Sequence, residues 1–318
     1  MRIIKILSSF CITFCITLPL GTSIQAQSND IDLGLLHVQG NVYMLNGGEA
    51  GNIAVQIGED GIMLVNAMRK GFGEQIARQL QTITDKPIRY IINTSSDLYY
   101  SGGNAELAAM GKFGATPNLA PGAEDGATIV SHENSMFRLS ILSSQGDDVF
   151  PSAGVPRDVY FTSFKDIYFN DEPVFVMHEP NAHTDGDSIV LFRRSDTIAV
   201  GDLFTPGQYP VIDISRGGSV QGLISALNHL LDLAVPVVLQ EGGTRIIPGR
   251  GRICNEADVV EFRNMVVIIH DRVRAYMDRG MTLEQIQTQE LTLDYDTEFS
   301  GSGEGFIESI YQSLARVN

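Results

Sequence analysis

The chain has 318 residues, 43% of them hydrophobic, and carries a formal net charge of −16. This length and composition exclude a disordered chain and a repeat array, and they allow one large globular domain or two small ones. The acidic balance also makes nucleic acid a poor partner, because a nucleic-acid surface would repel it.

The first 26 residues, MRIIKILSSFCITFCITLPLGTSIQA, have the pattern of a secretory signal peptide. Arg2 and Lys5 precede a long apolar stretch, no acid is present, and the small residue Ala26 marks the expected cleavage site. A transmembrane anchor is the alternative, but Ser, Thr and Pro interrupt the apolar run. The sequence therefore predicts a secreted or periplasmic protein that has no contact with the membrane once the signal is removed.

Cleavage after Ala26 would remove two cations and no acid, which lowers the formal net charge from −16 to −18. It would also remove Cys11 and Cys15, so Cys254 would be the only cysteine of residues 27–318. An internal disulfide is then impossible, and the core must provide the stability of the exported protein. We interpret Cys254 as an inert, buried thiol.

Strand and helix patterns alternate along the first half of residues 27–318. Helical spacing is clearest in FGEQIARQLQTI, where Phe72, Ile76, Leu80 and Ile83 share one face. The predicted elements are strands VYMLNG (42–47), NIAVQIG (52–58) and GIMLVNA (61–67), helix FGEQIARQLQTI (72–83), strand IRYIINT (88–94), helix GGNAELAAMG (102–111) and strand TIVSHE (128–133).

The second half continues the alternation. Asn255 is the predicted N-cap of its longest helix, with the acids Glu256 and Asp258 in the first turn. The predicted elements are strands VYFTSF (159–164), DIYFN (166–170) and VFVMHEP (174–180), a hairpin SIVLFRRSDTIAVGDLF (188–204) that turns at RRSD, helix SVQGLISALNHLLDLA (219–234), strand TRIIPG (244–249), and a helix from Glu256 to about Arg279.

No linker, low-complexity tract or internal period interrupts residues 27–318. We therefore predict a single domain in that range, including a helical C-terminal tail from about residue 280 to 318. Alternating strands and helices with interspersed hairpins predict an α/β fold, in which helices cover the outer faces of two mixed sheets.

Polar residues collect in the turn NTSSDLYYSGGN (93–104), which follows the apolar strand IRYII. Such turns lie at the carboxyl end of a sheet, where α/β folds usually place their chemistry. Three further stretches also end apolar runs, namely NAHTDGDS (181–188), VGDLF (200–204) and IIPGRG (246–251). We expect all four stretches to meet at one rim of the fold.

In this order, the four stretches resemble the motifs of the metallo-β-lactamase fold superfamily. That family has Asn-Thr-His-x-His-x-Asp-His-x-Gly-Gly-Asn, then Gly-His-Thr, Gly-Asp and Pro-Gly-His-Gly. The resemblance covers nearly all of the mature chain, from GNIAVQIGEDGIMLV to TLDYDTEF. It implies a four-layer αβ/βα sandwich. The scaffold positions that match are Thr94, Gly102, Gly103, Asn104, Thr184, Gly186, Asp187, Gly201, Pro248 and Gly249.

The resemblance also implies where two metal ions would bind, and most of those positions have changed. In the family, two histidines of His-x-His and the histidine of His-Thr hold one metal, while the Asp-His pair, the Gly-Asp aspartate and the last histidine hold the second. Only His183 and Asp202 keep the family residue types, and Asn66 replaces an aspartate that usually ends an earlier strand. The residues at the seven positions are Ser95, Asp97, Tyr99, Tyr100, His183, Asp202 and Arg250.

Most of these replacements are poor metal ligands. A tyrosine hydroxyl has a pKa of about 10 and stays protonated at neutral pH, and a guanidinium cannot bind a cation. We expect Arg250 to lie within hydrogen-bonding reach of Asp202 and to substitute its charge for the second metal. Asp97, His183 and Asp202 are the residual candidates for catalysis and for holding one Zn, Fe or Mn ion.

Three functions are compatible with this sequence. The first is a metal-free relative that binds a small polar or anionic molecule in a pocket lined by the seven residues named above. The second is a residual hydrolase of an ester, thioester or lactam that uses a single metal ion. The third is a structural or regulatory partner of an active paralogue. A serine hydrolase is disfavoured, since the chain contains neither Gly-x-Ser-x-Gly nor Ser-x-x-Lys.

Overall fold

The computed structural model describes residues 31–114, 126–239 and 242–317, so the predicted signal peptide lies outside the described residues. The strands in these ranges are β1 Gly34–Gln39, β2 Val42–Asn46, β3 Asn52–Gly58, β4 Gly61–Val65, β5 Ile88–Ile92, β6 Thr128–His132, β7 Asp158–Tyr160, β8 Phe164–Phe169, β9 Glu172–Glu179, β10 Asp187–Phe192, β11 Thr197–Gly201 and β12 Arg245–Pro248. The α-helices are α1 Gly73–Gln81, α2 Leu98–Ser101, α3 Asn104–Met110, α4 Glu133–Ser144, α5 Val220–Leu233, α6 Glu256–Met277, α7 Leu283–Gln287 and α8 Gly303–Val317.

The strands form two mixed sheets. The larger sheet has the order β1-β2-β3-β4-β5-β6-β7. It is antiparallel from β1 to β4 and parallel from β4 to β7. The smaller sheet has the order β12-β11-β10-β9-β8 and is antiparallel except for the parallel pair β11 and β12.

Apolar side chains fill the space between the two sheets. Met44, Val65 and Ile92 of the larger sheet pack in one buried cluster with Val176 and Phe192 of the smaller sheet. Burying these faces away from water is the main favourable contribution to folding. The two sheets therefore pack face to face.

Helices cover the outer face of each sheet. A second cluster joins Leu64 of the larger sheet to Ile76 of α1 and Leu107 of α3. A third joins the outer face of the smaller sheet to α5, α6 and α8, with Leu227 and Val266 among its members. The order helix, sheet, sheet, helix confirms the predicted four-layer αβ/βα sandwich.

Two local predictions are wrong. The run VYFTSF is not one strand, because β7 ends at Tyr160 in the larger sheet and β8 begins at Phe164 in the smaller one. Ile83 does not share the buried face of α1, which ends at Gln81, and its side chain is 44% exposed. In addition, the sequence reading missed α4.

The ends of three strands deliver the motif stretches to one edge of the sandwich. β5 ends at Ile92, β11 at Gly201 and β12 at Pro248. The backbone N–H of Ser188 on β10 donates to the carbonyl of Thr94, which joins the edges of the two sheets. Among the described residues, none of the helices is both long enough and apolar enough to span a membrane.

Candidate functional site

Asn66, just after β4, holds the polar turn that follows β5. Its Oδ1 accepts hydrogen bonds from the backbone N–H and the hydroxyl of Thr94, each at 3.0 Å. Asn66 has a φ of 75°, a left-handed conformation that asparagine tolerates better than most residues. An amide at this position thus supplies the acceptor that the resemblance assigns to an aspartate.

Asp97 is used as a helix cap and as an ion-pair partner. Its Oδ1 accepts from the backbone N–H of Tyr99 at 2.9 Å and so caps the short helix α2. Its Oδ2 lies 3.5 Å from Nη2 of Arg216. Ser95, which is 1% exposed, accepts from the backbone N–H of Asp97 and lies beneath the surface of the site.

Tyr100 is buried and reaches across the site to Asp202. Its hydroxyl donates to Oδ1 of Asp202 at 2.6 Å, the shortest contact of that carboxylate. The approach depends on Gly249, because a Cβ at this position would collide with the Tyr100 hydroxyl. Burial and the charge of Asp202 raise the pKa of Tyr100 far above its usual range, so the phenol remains a hydrogen-bond donor.

Asp202 lies just after β11, and its side chain is only 10% exposed. Besides Tyr100, its Oδ2 is 3.9 Å from Nδ1 of His183, and its Oδ1 is 3.6 Å from Nη2 of Arg250. Burial raises the pKa of Asp202, whereas His183, the Tyr100 hydrogen bond and Arg250 act in the opposite direction. The three neighbours thus favour the ionised carboxylate, and burial, the largest effect, opposes them.

His183 lies beneath Asp202 and is 3% exposed. Its Nδ1 is 3.5 Å from Oδ1 of Asp187, and no atom of the described residues completes a well-directed hydrogen bond to it. Burial lowers the pKa of His183, but the carboxylates of Asp187 and Asp202 more than offset this effect and raise it to about 9. His183 is thus a cation at neutral pH, paired with two carboxylates.

Arg250 lies close to Asp202, as predicted, but the predicted hydrogen bond is not formed. The separation of 3.6 Å is that of an ion pair and exceeds hydrogen-bond length. The hydrogen bond to Oδ1 of Asp202 comes from the Tyr100 hydroxyl. Arg250 instead lies over the ring of Tyr99, 5.4 Å from its centroid, and its buried Nε has no acceptor among the described residues.

Arg216 belongs to the site, although the sequence reading missed it. It ends a 3-10 turn at Ile214–Arg216, where its Nε donates to Oδ2 of Asp213 at 2.6 Å. The same guanidinium lies next to Asp97. The stretch Asp-Ile-Ser-Arg-Gly-Gly (213–218) pairs an acid with a base three residues apart before two glycines, and this was the only signal available.

These side chains surround a cavity of about 150 Å³. Of the seven predicted pocket residues, five line it, while Ser95 and Tyr100 lie beneath them. A larger cavity of about 730 Å³ near α3 and β6 contains none of the seven. The lining residues are Asp97, Tyr99, His183, Asp202, Thr205, Gln208, Tyr209, Pro210, Val211, Asp213, Arg216, Arg250 and Phe262.

The side chains at this cavity offer hydrogen-bond donors and charges of both signs. Within residues 31–114, 126–239 and 242–317, no group of three His, Cys, Asp or Glu side chains is placed so that it could hold a metal ion. The remaining free thiol in those ranges, Cys254, is buried, and burial raises its pKa to about 12. That agrees with an inert thiol.

Comparison with known proteins gives matches at the level of structure only. No protein-family model matches the sequence, and no curated protein matches it. One similar structure is the stereoselective inverting sec-alkylsulfatase Pisa1 from Pseudomonas sp., with a TM-score of 0.67 and 14% identity. The match covers 88% of this chain and 50% of the sulfatase, so the chain spans about half the length of that protein.

Two metallo-β-lactamases match over nearly their full length. FIM-1 from Pseudomonas aeruginosa, solved in its mono-zinc form, has a TM-score of 0.54 and 16% identity, and the match covers 76% of this chain and 97% of FIM-1. The metallo-β-lactamase from Pontibacter korlensis has a TM-score of 0.55 and 12% identity, and the match covers 74% of this chain and 98% of that protein. Identities this low establish a shared fold and leave the activity open.

Proposed function

Because the chain has the metallo-β-lactamase fold, we propose that it is an exported relative of these proteins that has lost the two-metal hydrolytic site. Its cavity binds a small polar or anionic molecule instead. Export is supported by the pattern of residues 1–26. The other parts of the proposal rest on the chemistry of the site residues.

The side chains at the family metal positions do not fit two zinc ions. Zinc binds imidazole, thiolate and carboxylate groups, whereas Tyr99 and Tyr100 present phenol side chains and Arg250 presents a cation. Of the carboxylates, Asp97 is already engaged by the N-terminus of α2 and by Arg216. We therefore derive no reaction step that passes through a metal.

Arg250 is the main reason for proposing that the cavity binds an anion. Its guanidinium borders the cavity, lies 3.6 Å from Asp202 as an ion pair, and has a buried Nε without an acceptor among the described residues. A buried polar group without a partner is unfavourable, and an incoming oxygen would satisfy it. Arginine is also well suited to carboxylate, sulfate and phosphate oxygens because its planar N–H groups match them in pairs.

Other walls of the cavity suit the rest of a small organic molecule. Arg216 adds a second guanidinium that borders the same space. Tyr209, Pro210 and Val211 form an apolar wall. A charged floor with an apolar wall favours a ligand that joins an acidic group to a short carbon skeleton.

Thermal stability measured with candidate anions tests the proposal. Acetate, butyrate, sulfate and phosphate are suitable probes, because a ligand at a hundred times its dissociation constant adds ~2.7 kcal/mol to stability. We expect at least one of the organic anions to raise Tm. The double variant Arg250→Met with Asp202→Asn should lose the response, because it removes the guanidinium without leaving an orphaned carboxylate.

Arg252→Met is the matched control. Arg252 is two residues away, its side chain is 64% exposed, and it pairs with Asp258 outside the cavity. This variant should keep the ligand response of the wild type. If no anion changes Tm, or if the double variant responds as strongly as the wild type, ligand binding at Arg250 is wrong.

A residual single-metal hydrolase is the second candidate, and one observation favours it. His183 and Asp202, the two retained family residues, both line the floor of the cavity. Hydrolysis of an ester, thioester or lactam would then require a third ligand, for which Asp97 is the candidate. Activity that appears with added zinc and disappears in Asp202→Asn would favour this function over metal-free binding.

A further inference from the structure

We propose that the cavity continues into an outer cationic subsite formed by Arg69 and Lys70, and that the ligand is a small dianion. The first acidic group binds inside the cavity at Arg250, and the second binds outside at Arg69. This inference rests on the proposed function, since it requires an anion at Arg250. It adds a second site and a charge requirement for the ligand.

Tyr99 connects the inner and outer positions. The Cζ of Arg69 lies 5.0 Å from the centroid of the Tyr99 ring, and the Cζ of Arg250 lies 5.4 Å from the same centroid. The sum of these two distances, about 10 Å, is the largest possible separation of the two guanidinium carbons. An aliphatic chain of a few carbons can place one carboxylate at each cation, alongside a ring that is 38% exposed.

The outer cations have no acidic partner in the part of the chain that the structure describes. Arg69 and Lys70 are both exposed, and within the described part of the chain neither forms an ion pair, although other surface arginines and lysines do. Glu106, an acid that contacts the segment after Lys70, accepts from the backbone N–H groups of Gly71 and Gly73. Arg69 lies over Tyr99, which lines the cavity, and Lys70 is its neighbour in sequence. In a chain of net charge −16, such cations form a local site for negative charge.

The backbone positions Arg69 relative to the cavity. The N–H of Gly103 donates to the carbonyl of Met68 at 2.9 Å, and the N–H of Ala67 donates to the carbonyl of Tyr100. A Cβ at Gly102 would meet the backbone of Arg69 and Lys70 at no more than 3.1 Å, so the two segments pack backbone to backbone. Arg69 also lies 5.9 Å from the centroid of the Phe72 ring. The backbone of Arg69 is therefore fixed next to the segment that carries Tyr99, and its guanidinium lies over the Tyr99 ring.

Isothermal titration calorimetry with matched pairs of acids tests the outer subsite. Succinate, adipate and suberate are compared with their own monomethyl esters, which keep the chain length and remove one charge. We expect a dicarboxylate of intermediate length to bind more tightly than its monoester. Since exposed charge pairs contribute at most about 1 kcal/mol, the expected advantage is about fivefold at low salt, and it should shrink as salt is added.

Arg69→Met should remove this advantage, and the monoester affinity should stay within about twofold of the wild-type value. Methionine keeps the apolar contacts of the side chain and removes only the charge. Arg78→Met is the matched control, because Arg78 is exposed on α1 and pairs with Glu74 away from the cavity. Lys70→Met provides a second variant if Arg69→Met lowers Tm.

The possible outcomes separate this inference from the proposed function. If monoesters bind at Arg250 but dicarboxylates bind no more tightly, or if Arg69→Met keeps the advantage, the outer subsite is wrong and the cavity site stands. If Arg78→Met reduces the advantage as much as Arg69→Met, the effect is general electrostatics and the subsite is also wrong. If no acid binds, the proposed function fails and the outer subsite fails with it.

Discussion

At the scale of single residues, the proposed loss of the metal site depends strongly on Tyr100. The resemblance places a metal-binding histidine at this position, and here a buried phenol donates a 2.6 Å hydrogen bond to Asp202. A phenol cannot neutralise a carboxylate, but it satisfies one of its oxygens. Arg250 and His183 supply the positive charge that the phenol lacks.

The first prediction concerns Arg250. Arg250→Met should lower the free energy of unfolding by about 2 kcal/mol, which is below the 3–5 kcal/mol typical of a broken buried pair because Tyr100 and His183 still stabilise Asp202. Urea unfolding measures the change. Because the variant lacks the Arg250 cation, which favours the ionised carboxylate, the pKa of Asp202 should also rise further.

Adding Asp202→Asn tests the reason for that loss. The neutral amide needs no counter-charge and its oxygen can still accept from Tyr100, so the double variant should recover more than half of the lost stability. A double variant that is no more stable than Arg250→Met would contradict the charge pairing.

The second prediction concerns His132, which is buried and stacks on His178 with ring centroids 3.6 Å apart. Burial lowers the pKa of His132 to about 4, and repulsion from His178 contributes to the same shift. Since the folded-state pKa lies below the ordinary value of about 6.5, neutral His132 stabilises the fold above that value. This contribution should be lost as pH falls from about 6.5 towards 4.

The variant His132→Asn separates the effect of His132 ionisation from the effect of its cap on α4. Nδ1 of His132 accepts from the backbone N–H of Asn134 and caps α4, and asparagine is a good N-cap as well. His132→Asn should therefore keep α4 and reduce the loss of Tm between pH 6.5 and pH 4. An unchanged pH profile in this variant would mean that other groups cause the acid sensitivity.

At the scale of elements, the sequence predicted the strands and helices that have a clear apolar pattern or cap, and it missed those that do not. The hairpin of β10 and β11 follows from two continuous apolar runs on either side of RRSD, and the start of helix α6 follows from its N-cap Asn255. Helix α4 was missed because its apolar residues lie all around it, and Phe137 and Ile141 remain exposed. The break between β7 and β8 was missed because local pattern does not show that the chain changes sheets there.

The candidate site also combines residues that the sequence motifs predicted with features that depend on tertiary contacts. Asp97, Tyr99, His183, Asp202 and Arg250 were predictable because each follows a strand end within a spaced motif. The burial of Ser95 and Tyr100 below the cavity surface was not predictable, because it depends on neighbours that are far away in sequence. Arg216 was missed for a related reason, because its turn reaches the cavity through tertiary contacts.

The third prediction tests the capping of α6. Asn255 and Asp258 form a capping box at its N-terminus, and α6 packs on α5 and α8. Asn255→Ala should lower the free energy of unfolding by about 1 kcal/mol, because it leaves an N–H without an acceptor. Asn255→Ser, which restores an acceptor, should recover most of the loss in the same urea experiment. Equal stability of the alanine variant and the wild type would contradict this role.

For the molecule as a whole, metal content provides the fourth prediction. Purified protein that is incubated with zinc and then dialysed should hold well under one equivalent per chain by elemental analysis, because five of the seven family ligand positions have other residue types. Tight retention of two equivalents would show that the loops rearrange around metal and would reject the proposed loss of the site.

The contact of Tyr99 with two guanidinium groups has a spectroscopic consequence. The chain contains ten tyrosines and no tryptophan, so indole emission does not mask phenol fluorescence. An anion that draws Arg69 or Arg250 away from the ring changes the electric field at that chromophore. Occupancy of the cavity can then be followed as a near-ultraviolet difference signal in unlabelled protein, and Tyr99→Leu identifies the share of that signal that comes from this ring.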